Sequence, residues 1–433
     1  MATCRLQATS VLAPTVSRLG VYCERRRYGT GSDPPAGHWT RIHQAQITAC
    51  AITEESGGEK RIEQRPFGAF KRDRQALAAW AAALDPDEVV MESTGIYWKS
   101  PYAALEAAGI RATVVNARHV KQVPGRKTDV GDAQWLATLA RAGLLRGSFV
   151  PPAKLRELRL IARQRQKLVG LLSSEKNRMH KVLTDAGIRL GVVVSDIHGQ
   201  SARAMIKCLL AGQPPEEVLK LASRRLKASR EELHDALQGE LTGSHVFVLD
   251  ELLRHIEGLE AGIARFDAHL LGELASEMNA LALLQTLPGV DVIGAAMLLV
   301  EIGSDMSAFG SPDRLASWVG VCPGNNESAG KRKSGRVRKG NLYVRRLLCE
   351  FAHAASRTKS AFQSKFQSLI IRRGYKRAIV ALAHKMLRTI FFMLKRGEHY
   401  RDSATNYEQL SVQRNASRWI KALTRFGFIP AAA

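Results

Sequence analysis

Between residues 42 and 142 the chain alternates short apolar runs of strand character with segments of helical spacing. Two strands, over 42–53 and 60–67, are separated by a short turn, and strands joined this closely predict a hairpin. The segments that follow are a helix over 70–84, a strand over 88–91, a helix over 98–108, a strand over 111–116 and a helix over 133–142. This order predicts an α/β domain.

Acidic residues lie where two of these elements end or begin. Glu92 closes the strand over 88–91, and Asp129 and Asp132 open the last helix, three residues apart on one face. Open α/β sheets bind ligands beyond the carboxyl ends of their strands. Carboxylate oxygens suit Mg²⁺ or Mn²⁺, whereas zinc would require histidine or cysteine. The alternative is that the two aspartates only cap a solvated helix and interact with its dipole.

After Pro151 and Pro152 the chain becomes helical, and no proline occurs from 153 to 213. One amphipathic segment of this region has basic side chains that are either a solvated face or phosphate contacts. They are Arg163, Arg165, Lys167, Lys176 and Arg178.

A second helical segment has apolar residues at alternating spacings of three and four over three heptads. They are Leu249, Leu252, Ile256, Leu259, Ile263, Phe266 and Leu270. This spacing is typical of a coiled-coil seam and predicts a dimer, although packing against the earlier helix within one chain would give the same pattern.

Residues 331–346 form an acid-free basic run. Its eight cations are Lys331, Arg332, Lys333, Arg336, Arg338, Lys339, Arg345 and Arg346. A solvated surface mixes charges of both signs, so we interpret this run as a loop that follows a nucleic-acid backbone. Ser328 precedes it in a turn of small residues, where by itself a serine indicates only a turn. The earlier turn at 287–290 is either a phosphate-binding Pro-Gly turn or an ordinary helix break.

The charge of the whole chain points in the same direction as the basic run. A formal charge of +24 over 433 residues, with a pI near 10.1, implies a polyanionic partner, with nucleic acid favoured over a membrane surface. No apolar run reaches about 18 residues, the length needed to span a bilayer. The six cysteines lack any Cys-x-x-Cys spacing, which favours reduced thiols in the cytoplasm over zinc or disulfides.

Several of these segments stand in an order that resembles the transposases of the IS110 family, including its IS1111 branch. They are the hairpin, Val90–Gly95, Lys127–Asp129 with Asp132, the turn at 287–290, and Pro323–Gly330 followed by the basic run and Gly340-Asn341. The resemblance covers about Ile42 to Tyr400. It implies a RuvC-like α/β domain with an RNase H-like fold over 41–150 and a helical coiled-coil region over 151–280. A mostly α-helical domain with the serine and basic run would follow over 281–400, and a tail over 401–433. The leader over 1–40 is unmatched, and we expect it to be disordered.

The resemblance also implies roles for the site residues. Glu92, Asp129 and Asp132 take the second, third and fourth positions of an Asp-Glu-Asp-Asp set that binds Mg²⁺, and Ser328 takes that of a serine nucleophile. The first carboxylate is missing, because Arg41 occupies its place. We expect a misassigned start or a frameshift near residue 41, and a decayed, inactive copy is the alternative.

The function implied is that of a DNA transposase that cleaves and exchanges strands through a serine–DNA intermediate with Mg²⁺ or Mn²⁺. The resemblance further implies a homo-oligomer, a dimer or tetramer, guided by an RNA from the element and associated with the bacterial nucleoid. The alternatives are a RuvC-like, metal-dependent junction nuclease that uses the carboxylates alone, and an inactive nucleic-acid-binding remnant.

Overall fold

The computed structural model describes residues 17–23, 46–54, 60–93, 95–116, 129–224, 226–323, 326–334, 337 and 339–430. Within these ranges, the backbone alone is described for 17–23, 54, 129–132, 326–328 and 332–334. The chain forms two compact units, Met1–Val150 and Pro151–Ala433.

A mixed five-stranded sheet organises the first unit. Its elements are β1 Ser17–Cys23, β2 Gln46–Glu54, β3 Lys60–Gly68, α1 Lys71–Ala83, β4 Glu88–Glu92, α2 Lys99–Ala107, β5 Ala112–Val115 and α3 Asp129–Arg141. The strand order is β3-β2-β1-β4-β5. Strands β3, β2 and β1 pair antiparallel, and β1, β4 and β5 pair parallel. The predicted hairpin and the alternation of strands and helices are confirmed.

Helices cover both faces of this sheet because β2 and β4 alternate their buried side chains between two cores. On one face Val89 and Met91 pack with residues of α1 and α2, such as Leu77 and Leu105. On the other face Val90 packs against α3. Each face of the sheet is therefore removed from water by helices that the chain supplies between or after its strands.

The leader contributes β1, so the expectation that residues 1–40 are disordered is wrong for Ser17–Cys23. This strand lies between β2 and β4, pairing Gly20 with both Cys50 and Val90. Buried strands need hydrogen-bond partners on both sides, and Leu19 and Val21 are apolar residues suited to a central position. Arg41 lies outside the described residues.

Helices dominate the second unit. They are α4 Ala153–Asp185, α5 Leu190–Val193, α6 Gln200–Leu210, α7 Pro215–Leu219, α8 Arg230–Leu237, α9 Gly243–Glu273, α10 Met278–Gln285, α11 Val292–Ile302 and α12 Pro312–Val319. After the short strands β6 Asn326–Ser328 and β7 Lys331–Ser334 come α13 Leu342–Ala355, α14 Ala361–Arg373, α15 Tyr375–Arg396 and α16 Tyr407–Arg425. No helix in the described ranges is long and apolar enough to cross a membrane.

The heptad seam is used within the chain. Helices α4 and α9 pack together, and Leu249, Leu252 and Ile256 are buried in one core with Met179 and Leu183 of α4. The intramolecular alternative therefore accounts for the first half of the predicted seam, and this half gives no support to a dimer.

The basic side chains of α4 are engaged in ion pairs, so the interpretation of this face as phosphate contacts is wrong for the residues below. Arg163 pairs with Glu301 at 2.7 Å, and Lys176 pairs with Glu260 at 3.0 Å. Arg165 donates to Asp267 through both its Nε and an Nη atom. Periodicity marked these side chains as a charged face, but the acids that neutralise them lie a hundred residues away or more in two of the three cases.

The Pro-Gly turn at 287–290 is a packing device. Gly289 has a φ of +85°, and a Cβ at this position would lie 2.7 Å from both the Phe351 carbonyl oxygen and the Ala355 nitrogen of α13. Leu287 and Val290 on either side are buried. Of the two interpretations, the structure favours the helix break, because close packing against α13 accounts for the glycine.

Candidate functional site

Glu92 is the last residue of β4, at the carboxyl edge of the sheet. Its backbone pairs with Val115 of β5, and the next amide, that of Ser93, donates to the Val115 carbonyl at 2.9 Å. Alternate residues of a strand share a face, so Glu92 lies on the same face as Val90, the face that α3 covers. The side chain is half-buried and engaged in an interaction.

Helix α3 begins at Asp129, as the sequence predicted. It buries Leu136 and Leu139 against Val90 and Val115, and this packing fixes the helix on the face that carries Glu92. The side chains of Asp129 and Asp132 lie outside the described ones. Among the side chains that are described, no group of three His, Cys, Asp or Glu could hold a metal. Glu92 and helix α3, which begins at Asp129, thus lie on one face of the sheet.

Strand β1 is the first strand of the sheet, and it supplies no carboxylate. Val21 pairs with Met91, so the next residue, Tyr22, stands in register beside Glu92. The seven residues of β1 contain neither aspartate nor glutamate. The absence of the first carboxylate, inferred at Arg41, therefore applies also to the strand that occupies the central position.

Ser328 is the last residue of β6, in a two-residue hairpin with β7. It pairs with Lys331, and Ala329 and Gly330 form the turn with φ values of +49° and +73°. Two positive φ values are typical of a type I′ turn, which matches the twist of the strands it joins. Alanine is strained in this region, by about 1–2 kcal/mol. The prediction that Ser328 lies within a small-residue turn is therefore wrong, because Ser328 ends strand β6 and only Ala329 and Gly330 form the turn.

Replacing Ala329 with glycine is expected to stabilise this hairpin by about 1 kcal/mol, because glycine adopts positive φ without a Cβ clash. Hydrogen exchange of the amides over 326–334 should slow about fivefold. The control is Ala264→Gly, on an exposed face inside α9. It should destabilise α9 and speed the exchange of nearby amides, because φ is helical there and glycine is unfavourable inside a helix. Faster exchange in Ala329→Gly would contradict the strained turn.

The basic run is not one loop, and its interpretation as such needs correction. Lys331, Arg332 and Lys333 lie in β7, whereas Arg345 and Arg346 lie in the first turns of α13. Lys331, Lys339 and Arg346 are exposed, and Arg345 is half-buried. Arg336 and Arg338 lie outside the described residues. The absence of acids correctly indicated a strongly basic segment. It did not predict that the segment is divided between a hairpin and a helix.

Glu301 is a buried carboxylate that no sequence pattern predicted to be functional. It holds the start of α13, the helix that carries the last two cations of the basic run. Glu301 of α11 is 2% exposed, and its Oε2 accepts from the Asn341 side-chain nitrogen at 2.7 Å. Asn341 in turn caps α13, its Oδ1 accepting from the amide of Tyr343 at 2.9 Å. The preceding Gly340 has no room for a Cβ, which would overlap the Val319 carbonyl. The Gly-Asn pair thus fixes the start of α13, the helix that carries the last two cations of the basic run.

Two arginines of α4 neutralise Glu301. Arg163 donates to both carboxylate oxygens, at 2.7 and 3.0 Å, and Arg159 lies 3.3 Å away. Burial lowers the pKa of Arg159 to about 10, and the charge of Glu301 opposes this change. The Arg163 guanidinium also stacks 4.4 Å from the Tyr343 ring centroid. A single acid in an apolar helix was the only sequence signal of this cluster.

Comparison with known proteins assigns both units to one family. A transposase model of the DEDD type found in IS110 elements matches residues 42–188, and the model of the IS116/IS110/IS902 transposase family matches residues 281–367.

The individual relatives have low sequence identity to this chain, but the match extends over most of the length of each. A probable family 20 transposase of Pseudomonas aeruginosa is 26% identical over 73% of this chain and 87% of its own. The transposase for insertion sequence element IS1111A of Coxiella burnetii is 25% identical over 76% of this chain and 84% of its own. A 43.6 kDa protein of insertion element IS110 from Streptomyces coelicolor is 25% identical over 79% and 90%. Because both models match in the order in which the chain carries the Glu92 strand, the paired aspartates and the Ser328 hairpin, the chain belongs to the IS110 family of insertion-sequence transposases.

Proposed function

We propose that this transposase cleaves and exchanges DNA strands through a covalent bond between Ser328 and a DNA phosphate. The observation that carries the proposal is the placement of Ser328 directly before a strained two-residue turn, with Lys331 paired to it and the basic strand β7 following. Strained backbone concentrates at functional sites, and cations hold the phosphate that a nucleophile must reach.

The chemistry assigned to Ser328 is a phosphoryl transfer. Its hydroxyl loses a proton, its oxygen bonds to phosphorus, and the bond from phosphorus to one sugar oxygen breaks as that oxygen takes up a proton. Attack on the same phosphorus by a sugar hydroxyl of another strand reverses the step and frees the serine. Serine is a poor nucleophile at its ordinary pKa, so charge on the phosphate must be neutralised by neighbouring groups.

Glu92, Asp129 and Asp132 are the residues that we assign to Mg²⁺ or Mn²⁺. A divalent ion bound there would supply a charge that polarises a phosphate oxygen. The support is that β4 and α3 bring these acids to one face of the sheet. We propose that this sheet is RNase H-like, since its central β1 pairs parallel with β4 and antiparallel with β2. The family resemblance further supports a homo-oligomer and a guide RNA that shares the basic surfaces.

Trapping the covalent adduct tests this function. The protein is incubated with Mg²⁺ and end-labelled DNA carrying the element's junction, denatured, and digested for peptide mapping. A labelled DNA fragment attached to the peptide that contains Ser328 is the expected result. Cleavage products with no protein attached at any time point would favour the junction nuclease, and no cleavage with any divalent metal would favour the inactive remnant.

The missing first carboxylate gives a second prediction. Because Arg41 places a cation where the family has an acid, Arg41→Asp is expected to increase strand cleavage and to tighten Mg²⁺ binding about tenfold. Binding is measured by the shift of the melting temperature of the first unit with Mg²⁺ concentration. Arg41→Ala removes the cation without adding an acid and should give a smaller change. Equal activity and equal binding in Arg41→Asp and the wild type would refute this prediction.

Tyr22→Asp is the matching variant on β1, because Tyr22 stands in register beside Glu92. Because β1 lies beside β4 in the sheet, this variant is also expected to tighten Mg²⁺ binding. Mg²⁺ binding equal to that of the wild type would contradict this prediction.

A further inference from the structure

The positive charge of the chain is concentrated in the last three helices, outside the basic run. Between Arg357 and Arg425 the sequence has sixteen lysines and arginines against three acids, a net charge of +13 out of +24. One of these acids, Asp402, already accepts hydrogen bonds from the backbone amides of Ala361 and Ala404, both at 3.0 Å. This segment therefore carries more than half of the charge that a polyanion would meet.

Few of these cations are neutralised within the chain. In the described part of the structure Arg388, paired with Asp313, is the one cation of this segment with a carboxylate oxygen within 4.0 Å. The region around α9 differs, because its cations Lys207 and Arg203 pair with Glu257 and Glu260, at 2.6 and 2.5 Å. The charge of the last three helices is thus available to an external anion.

Three helices bring two of these lysines to one tyrosine. Lys385 of α15 donates to the Tyr407 hydroxyl at 2.5 Å, and its Nζ lies 3.8 Å from the ring centroid. The Nζ of Lys365 of α14 lies 4.9 Å from the same centroid. All three side chains are half-buried, and Tyr407 begins α16. The ring stabilises both cations, but it carries no net charge to balance them.

The two lysines destabilise each other in the absence of an anion. Burial lowers the pKa of Lys365, and the charge of Lys385 lowers it further, as do Arg372 and Arg414. The hydrogen bond from Lys385 lowers the pKa of Tyr407. An anion between the ammonium groups would relieve this repulsion, and Arg372 and Arg414 would extend the same field along a chain of anions.

A polar groove of about 630 Å³ is lined by Ser364, Asn406 and Glu408, which flank Lys365 and Tyr407 in the chain. Ser364, Gln367 and Asn406 contribute hydroxyl and amide groups to its lining, which also includes the carboxylates of Asp402 and Glu408. Uncharged donors of this kind bind phosphate and sugar oxygens in protein–nucleic acid complexes. The groove thus offers uncharged contacts for a sugar-phosphate backbone on residues that flank Lys365 and Tyr407 in the chain.

We propose that Lys365, Lys385 and Tyr407 form a phosphate-binding site for a nucleic-acid backbone, separate from the basic run at 331–346. The site rests on nucleic-acid binding by this transposase and is independent of the chemistry assigned to Ser328. The occupant is a phosphodiester, which DNA and RNA both supply.

The salt dependence of binding tests the site. Affinity of the full chain for duplex DNA, single-stranded DNA and RNA of one sequence is measured by fluorescence anisotropy over a series of KCl concentrations. For the double variant Lys365→Gln/Lys385→Gln we expect affinity to fall on the order of tenfold. The slope of log affinity against log salt should decrease by about 1.8 for duplex and about 1.4 for a single strand, because each phosphate contact contributes about 0.9 or 0.7.

The double variant Lys207→Gln/Lys220→Gln is the matched control. It removes the same charge, but from two lysines that already form ion pairs with Glu257 and Glu217, both at 2.6 Å. The slope of log affinity against log salt should therefore stay that of the wild type. A slope for Lys365→Gln/Lys385→Gln that equals the control in all three nucleic acids overturns the site. A decrease with RNA alone, or with DNA alone, supports the site and identifies its occupant.

Chemical protection provides a test without substitutions. Wild-type protein is acetylated with and without saturating nucleic acid, and the reactivity of each lysine is measured by mass spectrometry. Lys365 and Lys385 should become at least several-fold less reactive when nucleic acid is bound, and Lys220 should not change. Equal reactivity of Lys365 and Lys385 with and without all three nucleic acids would overturn the site. Loss of the Ser328 adduct in the earlier experiment would leave these outcomes unaffected.

Discussion

Replacing Ser328 with alanine is expected to abolish the covalent protein–DNA adduct and to lower strand exchange on the order of a thousandfold or more. The reason is that the serine oxygen forms the bond to phosphorus, so no neighbouring group can substitute for it at comparable rate. The measurement is the amount of labelled DNA that stays attached to denatured protein, together with the yield of exchanged strands.

Ser334→Ala is the control for this variant. Ser334 lies on the opposite strand of the same hairpin, where it pairs with Asn326, so the substitution perturbs the same local structure without removing the proposed nucleophile. It should retain the adduct. If Ser328→Ala and Ser334→Ala gave the same adduct yield, Ser328 would not be the nucleophile. If Ser328→Ala cleaved DNA at the wild-type rate, the carboxylates alone would be responsible, as in a junction nuclease.

Replacing Glu301 with glutamine is expected to destabilise the second unit by about 3–5 kcal/mol, because it leaves two arginines without the charge that neutralises them. Arg159 and Arg163 both face this carboxylate, and it is 2% exposed. Asn341 also loses a charged acceptor, so nucleic-acid binding through the neighbouring basic run should weaken. Stability is measured by urea unfolding followed by circular dichroism of the helices.

Glu251→Gln is the control for the buried carboxylate. Glu251 pairs with Arg254 at 2.9 Å, but both side chains are more than a third exposed, so solvent screens this pair and it contributes little to stability. Similar losses of stability in Glu301→Gln and Glu251→Gln would show that the Glu301 cluster does not hold α4, α11 and α13 together. A large loss confined to Glu301→Gln would support its role as the anchor of the basic run.

Local patterns were sufficient for much of the first unit. The hairpin, the strand ending at Glu92 and the helix beginning at Asp129 were all predicted, because apolar periodicity and turn residues act over a few neighbours. Strand β1 was missed for the complementary reason. Its alternating apolar residues Leu19, Val21 and Cys23 form too short a run to stand out in an arginine-rich leader, and only pairing with β2 and with the distant β4 identifies them as a strand.

The interpretation of charge was less successful, because the identity of a partner is not a local property. The sequence left Arg163 and Arg165 as either a solvated face or phosphate contacts, whereas in the structure they pair with Glu301 and Asp267. Conversely, no sequence pattern distinguishes Lys365 and Lys385, and in the structure both lie beside Tyr407 with no carboxylate of the described residues within 4.0 Å. An ammonium group is neutral in its effect on a distant anion only when an acid of the same chain lies close to it.

The family, the α/β character of the first unit, the helical character of the second and the excess of positive charge could all be predicted from the residues in their order. These properties follow from periodicity, motif order and composition. Three features required the folded chain: which cations lack an acid partner among the described residues, which strand occupies the centre of the sheet, and what fixes the start of α13. The physical reason is that ion pairing, strand pairing and burial depend on distances between residues that the chain brings together from far apart.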